Sequence, residues 1–296
     1  MTGPPAGGTG RSGSSRRRRL ADVSAGGGPR TTRSRRGVAR PRGGGDPVEI
    51  LLGGRRAVAE AVRAGLAAEL LVMASSRSTP ALRDLVEEAV RAGVAVTDAP
   101  RSMLDSLAPD HQGVAARVRF PSAITDRQLQ DRSFSSDAVV VVLDGVTDPQ
   151  NVGAAARAAE AAGAEVLILR ERRSARVTAA SVRASAGALL HLPHARVSNL
   201  TRALDSLKAR GFSAVGLDER ADHSIYEEPC PPGRVALVVG AEGSGISRLV
   251  RRSCDFLVRL PMEGKVASLN AASALAAVLY GYVLDRGRPR HQSGPD

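Results

Sequence analysis

The chain has 296 residues, of which 43% are apolar and only 2% aromatic, with 31 glycines, 17 prolines, no tryptophan and a formal net charge of +12. That length accommodates about two domains at roughly 150 residues each. Its two cysteines, Cys230 and Cys254, lie far apart without a CxxC pairing, which argues against a disulfide scaffold and against a cysteine zinc site.

The charge is unevenly placed. Residues 1–45 carry eleven arginines, twelve glycines and a single acid, Asp22, a net +10 that leaves +2 for the remaining 251 residues. So few large apolar side chains cannot offset the entropy of ordering, and residues 1–47 are expected to form a disordered Arg/Gly-rich arm. A secretory leader requires an apolar stretch of about 7–15 residues behind its basic start, and the arm has none. The longest apolar run, 271–284, falls short of the roughly 20 residues of a membrane span. A soluble, cytoplasmic protein without membrane contact is therefore expected.

Residues 48–120 read as a small α/β unit. Helical spacing covers 57–64 and 80–92, with Gly65 and Gly93 placed as stops, and 69–74, 94–97 and 113–120 read as strands. The polar, turn-rich segment PSAITDRQLQDRSFSSD, 121–137, is the natural linker. At 138 the pattern changes to AVVVVLDG, a continuous apolar run typical of a strand buried on both faces of a parallel sheet. Beyond it, helices are predicted at 151–162, 178–186, 200–210, 246–252 and 268–285, and strands at 165–169, 213–217, 235–239 and 256–260. This alternation predicts a mostly parallel sheet covered by helices over 138–286, followed by a tail at 287–296. His191 and His194 flank Pro193 without a carboxylate at ligand spacing, and read as a loop or strand end rather than a metal site.

Ligands of such sheets sit beyond the carboxyl ends of the strands, and three segments fall there. In LDGVTDPQNVGAAARAAEAAG, Asp148-Pro149 makes a sharp helix entry, small residues keep the first turns slim, and Arg157 projects a permanently charged fork. Asn151 stands at the start of that helix. An ordinary amphipathic helix with an Arg157–Glu160 pair fits the spacing equally well. In RVALVVGAEGSGISRLV, Gly240, Gly243 and Gly245 follow a strand in the order GxxGxG, not the dinucleotide order GxGxxG. Glu242 within that loop would repel a pyrophosphate, so the loop suits a ligand without phosphates; a tight turn with an exposed glutamate is the plainer alternative. In RLPMEGKVASLNAASALAAVLYGY, a strand ends at Leu260-Pro261, Ser268 is placed to cap the closing helix, and Asn270 is expected in its first turn, as a site amide or simple filler.

Together and in this order, the three segments resemble the motifs of the SpoU (TrmH-like) ribose 2′-O-methyltransferases of the SPOUT superfamily, and VRASAGALLHLPHARVSNLTRALDSLKARGF between them is similar to that family too. GGRRAVAEAVRAG and HQGVAARV in the small unit resemble the RNA-binding domain of the RlmB-like branch, although Arg56 and Ala57 replace the usual Asn-Pro of its GRNPV pattern.

The resemblance implies an α/β fold in which a small ribosomal-protein-like domain precedes a trefoil-knotted, mostly parallel sheet. It also implies a homodimer, S-adenosylmethionine as cofactor, RNA as partner and no metal. Backbone around Gly240, Leu260 and Leu269 would hold the adenosyl moiety, and Asn151, Arg157, Glu242, Ser268 and Asn270 match the family's polar active-site positions. The implied activity is 2′-O-methylation of a guanosine ribose in 23S ribosomal RNA. The same chemistry on tRNA or another rRNA nucleotide, and a non-catalytic ribosome-assembly module, are the alternatives.

Overall fold

The computed structural model describes Met1, Gly3 and residues 46–284 apart from 78, 109, 173, 266 and 267. The remainder of the basic arm through residue 45, and the tail at 287–296, lie outside the described residues.

The first sheet contains β1 (Val48–Gly53), β2 (Ala67–Met73), β3 (Ala95–Ala99) and β4 (Val114–Phe120) in the order β1-β4-β2-β3. β4 runs antiparallel to both neighbours, and β2 pairs parallel with β3. Helices α1 (Arg55–Arg63), α2 (Pro80–Arg91) and α3 (Arg101–Leu107) connect them. Proline opens α2, where its missing N–H has no intrahelical partner to lose.

A segment with α4 (Asp126–Asp131) leads into a seven-stranded sheet. Its strands are β5 (Val139–Asp144), β6 (Val166–Arg170), β7 (His194–Val197), β8 (Phe212–Leu217), β9 (His223–Ser224), β10 (Arg234–Gly240) and β11 (Phe256–Arg259). All of its pairings are parallel, in the order β7-β6-β5-β10-β8-β11-β9, so β10 inserts between β5 and β8, and β11 between β8 and β9. The covering helices are α5 (Pro149–Ala161), α6 (Ala179–Ala184), α7 (Leu200–Lys208), α8 (Arg248–Ser253) and α9 (Ala271–Val278).

The pleat divides the core. Val139, Val141 and Leu143 of β5 and Val235, Leu237 and Val239 of β10 point to the face covered by α5 and α9. Val140, Val142, Ala236 and Val238 point to the opposite face, with Leu204 of α7 and Val250 of α8. Alternation within an unbroken apolar run is how a strand buries both faces. The first cluster continues into the four-stranded sheet through Leu52, Val58 and Val62. Gly187, in the left-handed region at φ +93°, lies so close to α1 that a Cβ there would be 2.5 Å from the Glu60 Cβ, and His191 Nε2 meets Glu60 Oε2 at 3.2 Å.

Several expectations change. Residues 121–137 are more than a polar linker: Thr125 and Gln128 form a capping box on α4, Ile124 bridges to Ala195, and Leu129 and Phe134 are buried. Helix α3 and strands β1, β7 and β9 are additional elements. The closing helix begins at Ala271, three residues past the expected cap, because Asn270 rather than Ser268 accepts the N–H of Ala272. After Val278 it widens into a π-helical turn, Leu279–Val283. Histidine 194 opens β7, buried and stacked on Phe120 at 5.5 Å.

Candidate active site

The central strands β5, β10, β8 and β11 deliver their carboxyl ends to one place. There, the loops after β8, β10 and β11 enclose a cavity of about 560 Å³. Its dimension falls within the roughly 300–1,000 Å³ usual for small-molecule sites.

The glycine loop after β10 forms one wall. Gly240 is buried, and a Cβ there would lie 2.0 Å from the Gly245 carbonyl carbon and 2.2 Å from its oxygen. The loop therefore folds back onto the strand as only glycine permits, closed by Gly245 N–H donating to Ala241 O at 2.8 Å. Gly243 and Gly245 take positive φ values of 78° and 64°. Two carboxylates that sequence reasoning missed fix the surroundings. Asp144, buried at the end of β5, accepts Arg170 Nη2 on one oxygen and Ser247 N–H on the other, both at 2.8 Å. Asp218, at the end of β8, accepts Arg251 Nε at 2.6 Å and Arg220 N–H at 2.9 Å, tying the loop after β8 to α8. An acid ending an all-apolar strand was the only sequence signal for Asp144. Nearby, burial, with Asp255 next, pushes the Cys254 thiol up to about 12, which makes it a poor nucleophile.

Of the expected site residues, Gly240, Glu242, Leu260, Ser268 and Leu269 line the cavity. Asn270 caps α9, and its Nδ2 donates to Asn151 Oδ1 at 2.9 Å, joining the first segment to the third. Asn151 stands in the first turn of α5, where Asp148 accepts Gln150 N–H and Gly153 packs so tightly on α6 that a Cβ would lie 2.6 Å from Ser181 O. Glu242 is exposed. Arg157 lies outside the cavity lining, exposed on α5; among the described residues it has neither the pairing with Glu160 that the plainer alternative offered nor another partner.

The chain matches the SpoU rRNA Methylase family over residues 138–280 and the RNA 2′-O ribose methyltransferase substrate binding family over residues 51–123. It is 41% identical over 239 residues to an uncharacterized tRNA/rRNA methyltransferase of Mycolicibacterium vanbaalenii, spanning 79% of this chain and 76% of that protein. A protein of Staphylococcus haemolyticus named for the TrmH family of tRNA/rRNA methyltransferases is 36% identical over 250 residues, covering 83% and 98%. Among solved structures, the SpoU methyltransferase AviRb from Streptomyces viridochromogenes, in complex with AdoMet, superposes with a TM-score of 0.66 at 31% identity, covering 79% of this chain and 89% of that one. The chain belongs to the SpoU/TrmH family of RNA methyltransferases, which use S-adenosylmethionine.

The cavity fits that cofactor. Phosphate-cradling loops offer free backbone N–H groups, whereas here Gly245 N–H is committed to Ala241 and Ser247 N–H to the Asp144 carboxylate. S-adenosylmethionine carries no phosphate. Val239, Ile246, Leu260 and Leu269 provide apolar wall of the kind an adenosyl group needs. Among the described residues no His, Cys, Asp and Glu cluster suits a metal, and no helix is long and apolar enough to cross a membrane.

Proposed function

We propose that this chain methylates the ribose 2′-hydroxyl of an RNA nucleotide, a guanosine in 23S ribosomal RNA, acting in the cytoplasm as a homodimer. The observation that carries this reading is the Asn270–Asn151 hydrogen bond beside the cavity, which brings two separate sequence motifs into one polar constellation. Residues 48–120 take the role of gripping RNA, and residues 138–286 that of methyl transfer. The insertion of β10 and β11 between earlier strands supports a trefoil-knotted domain. Tyr280 and Leu284, 52% and 36% exposed on the extension of α9, support a second copy packing there.

The cofactor supplies a methyl group already activated on a sulfonium. The chain's own task is to align the 2′-oxygen with that methyl carbon and to assist loss of the hydroxyl proton as the O–C bond forms and the C–S bond breaks. A guanidinium does not deprotonate readily, so Arg157 contacts the 2′-oxygen and neighbouring phosphate and stabilises developing alkoxide, while phosphate or water takes the proton. Asn151, fixed by its hydrogen bond to Asn270, belongs to the same constellation. Glu242, Ser268 and Asn270 shape the ribose and methionine sites.

Arg157→Ala tests this division. Methyl transfer is expected to fall by about 100-fold or more, the usual scale for a lost charge-stabilising donor, with cofactor affinity by calorimetry unchanged. Normal turnover would remove Arg157 from the mechanism. Mass spectrometry of ribose-methylated nucleosides from rRNA and tRNA, in cells with and without the protein, identifies the substrate.

A further inference from the structure

The stretch 170–183 contains five arginines and one acid, Glu171, within a folded part whose net charge is only +2. Its loop, 171–178, leaves the carboxyl end of β6 beside the loop that leads from β5 to Asn151 and Arg157. Among the described residues of this loop, the backbone at 171 and 174–175 is held from several sides. Glu171 N–H donates to Val197 O at 2.8 Å, and Ala175 N–H to Val146 O at 3.0 Å. Ser174 Oγ also reaches Val146 O, at 3.3 Å. Arg196 of β7 donates Nη1 to Ala175 O at 3.1 Å and Nη2 to Glu171 O. Ala175 is buried beneath.

On this fixed backbone, Arg172 and Arg176 are exposed, and among the described residues neither side chain has a hydrogen-bond or ion-pair partner. Arg196 is held below the usual arginine range by burial and then by Arg176, with Glu171 opposing. Exposed guanidinium groups without an ion-pair partner favour an anion, and their planar forks match phosphate oxygens.

We infer that the 171–178 loop is an RNA-docking platform, on which Arg172 and Arg176 grip backbone phosphates flanking the nucleotide presented to Arg157. This rests on the RNA-methyltransferase reading and adds a surface to it within residues 138–280, apart from the substrate-binding match at 51–123. Two exposed arginines on a pre-ordered loop give up little conformational freedom beyond their own rotamers when they bind. Phosphate contact positions an RNA without reading its sequence.

The experiment compares the full chain with its Arg172→Gln/Arg176→Gln variant. Binding of labelled 30-nucleotide single-stranded RNAs of two unrelated sequences is followed by fluorescence anisotropy from about 50 to 200 mM KCl, the range in which phosphate contacts register. For both RNAs the double variant should bind about tenfold more weakly at low salt, and its salt slope should fall by about 1–2. Thermal stability and S-adenosylmethionine affinity should stay unchanged. Amides of 171–178 should gain protection from hydrogen exchange when RNA binds the unmodified chain. Equal affinity and slope in the two proteins, or no added protection, would overturn the platform while leaving the methyltransferase reading intact, as would a loop that binds acidic proteins only. Absence of RNA binding or methyl transfer by the unmodified chain would remove both.

Discussion

The two ends of the seven-stranded sheet use arginine in opposite ways. At the amino end, Arg234 donates to the carbonyls of Ser135, Arg210 and Phe134 at 2.7, 2.8 and 3.0 Å and lies 5.8 Å above the Phe212 ring. Arg210 donates to Leu129 O and Arg132 O and lies 4.8 Å above Phe134, which meets Phe212 edge to face. These guanidinium groups clamp the 121–137 segment to the sheet. At the carboxyl end, Arg172 and Arg176 are exposed and, among the described residues, unpartnered. A side chain whose guanidinium is committed to internal carbonyls contributes to the fold, whereas one exposed without a partner is available to a ligand. Net charge cannot distinguish the two, because both ends are rich in arginine.

The contrast makes opposite demands on variants. The largest effect is expected for Gly240→Ala at the carboxyl end, where the new Cβ must displace Gly245 backbone now 2.0 Å away. A shift of about 1 Å in a wall that positions a ligand costs on the order of 100-fold, so calorimetry should register at least that loss of S-adenosylmethionine affinity. Full affinity would show that the glycine loop is not a cofactor wall. Arg234→Ala at the amino end should reverse the pattern. Loss of three charge-assisted hydrogen bonds should lower unfolding free energy by about 2–3 kcal/mol in urea titrations, with cofactor affinity per folded molecule unchanged. Weaker cofactor binding in that variant would couple the two ends and break the comparison.

How legible each end was depended on how local its causes are. β5 and β10 were evident from their unbroken apolar runs, and the cavity from glycines following a strand. The order of 121–137 was not evident, because Ile124, Leu129 and Phe134 recur every five residues, matching neither the strand period nor the helix period. What orders them is supplied by Ala195, Arg210 and Arg234, distant in sequence. Asp144 was invisible as a site residue for the same reason: its partners are Arg170 and Ser247, 26 and 103 positions away. Ser268 and Asn270 are both good caps before an alanine-rich run, and composition could not choose between them; the bond to Ala272 does. Conversely, the motif resemblance placed Asn151 and Asn270 in one site although spacing alone left each with an ordinary helical explanation.

The smallest expected effect tests a basic side chain that burial keeps neutral. Burial, and secondarily Arg196, hold the His194 imidazole down to about 4, against an ordinary 6.5. Between those values an unfolded chain takes up a proton that the native site refuses, so stability is fully present above pH 6.5 and falls as the pH drops toward 4. The slope is about 1.4 kcal/mol per pH unit, or about 2 kcal/mol between pH 6.5 and 5. His194→Phe keeps a ring against Phe120 and removes the proton site. Urea unfolding at pH 7, 6 and 5 should therefore show the decline in the unmodified protein and a flatter profile in the variant. Parallel profiles would mean that His194 already binds its proton in the native state, and the neutral core at the start of β7 would have to be abandoned.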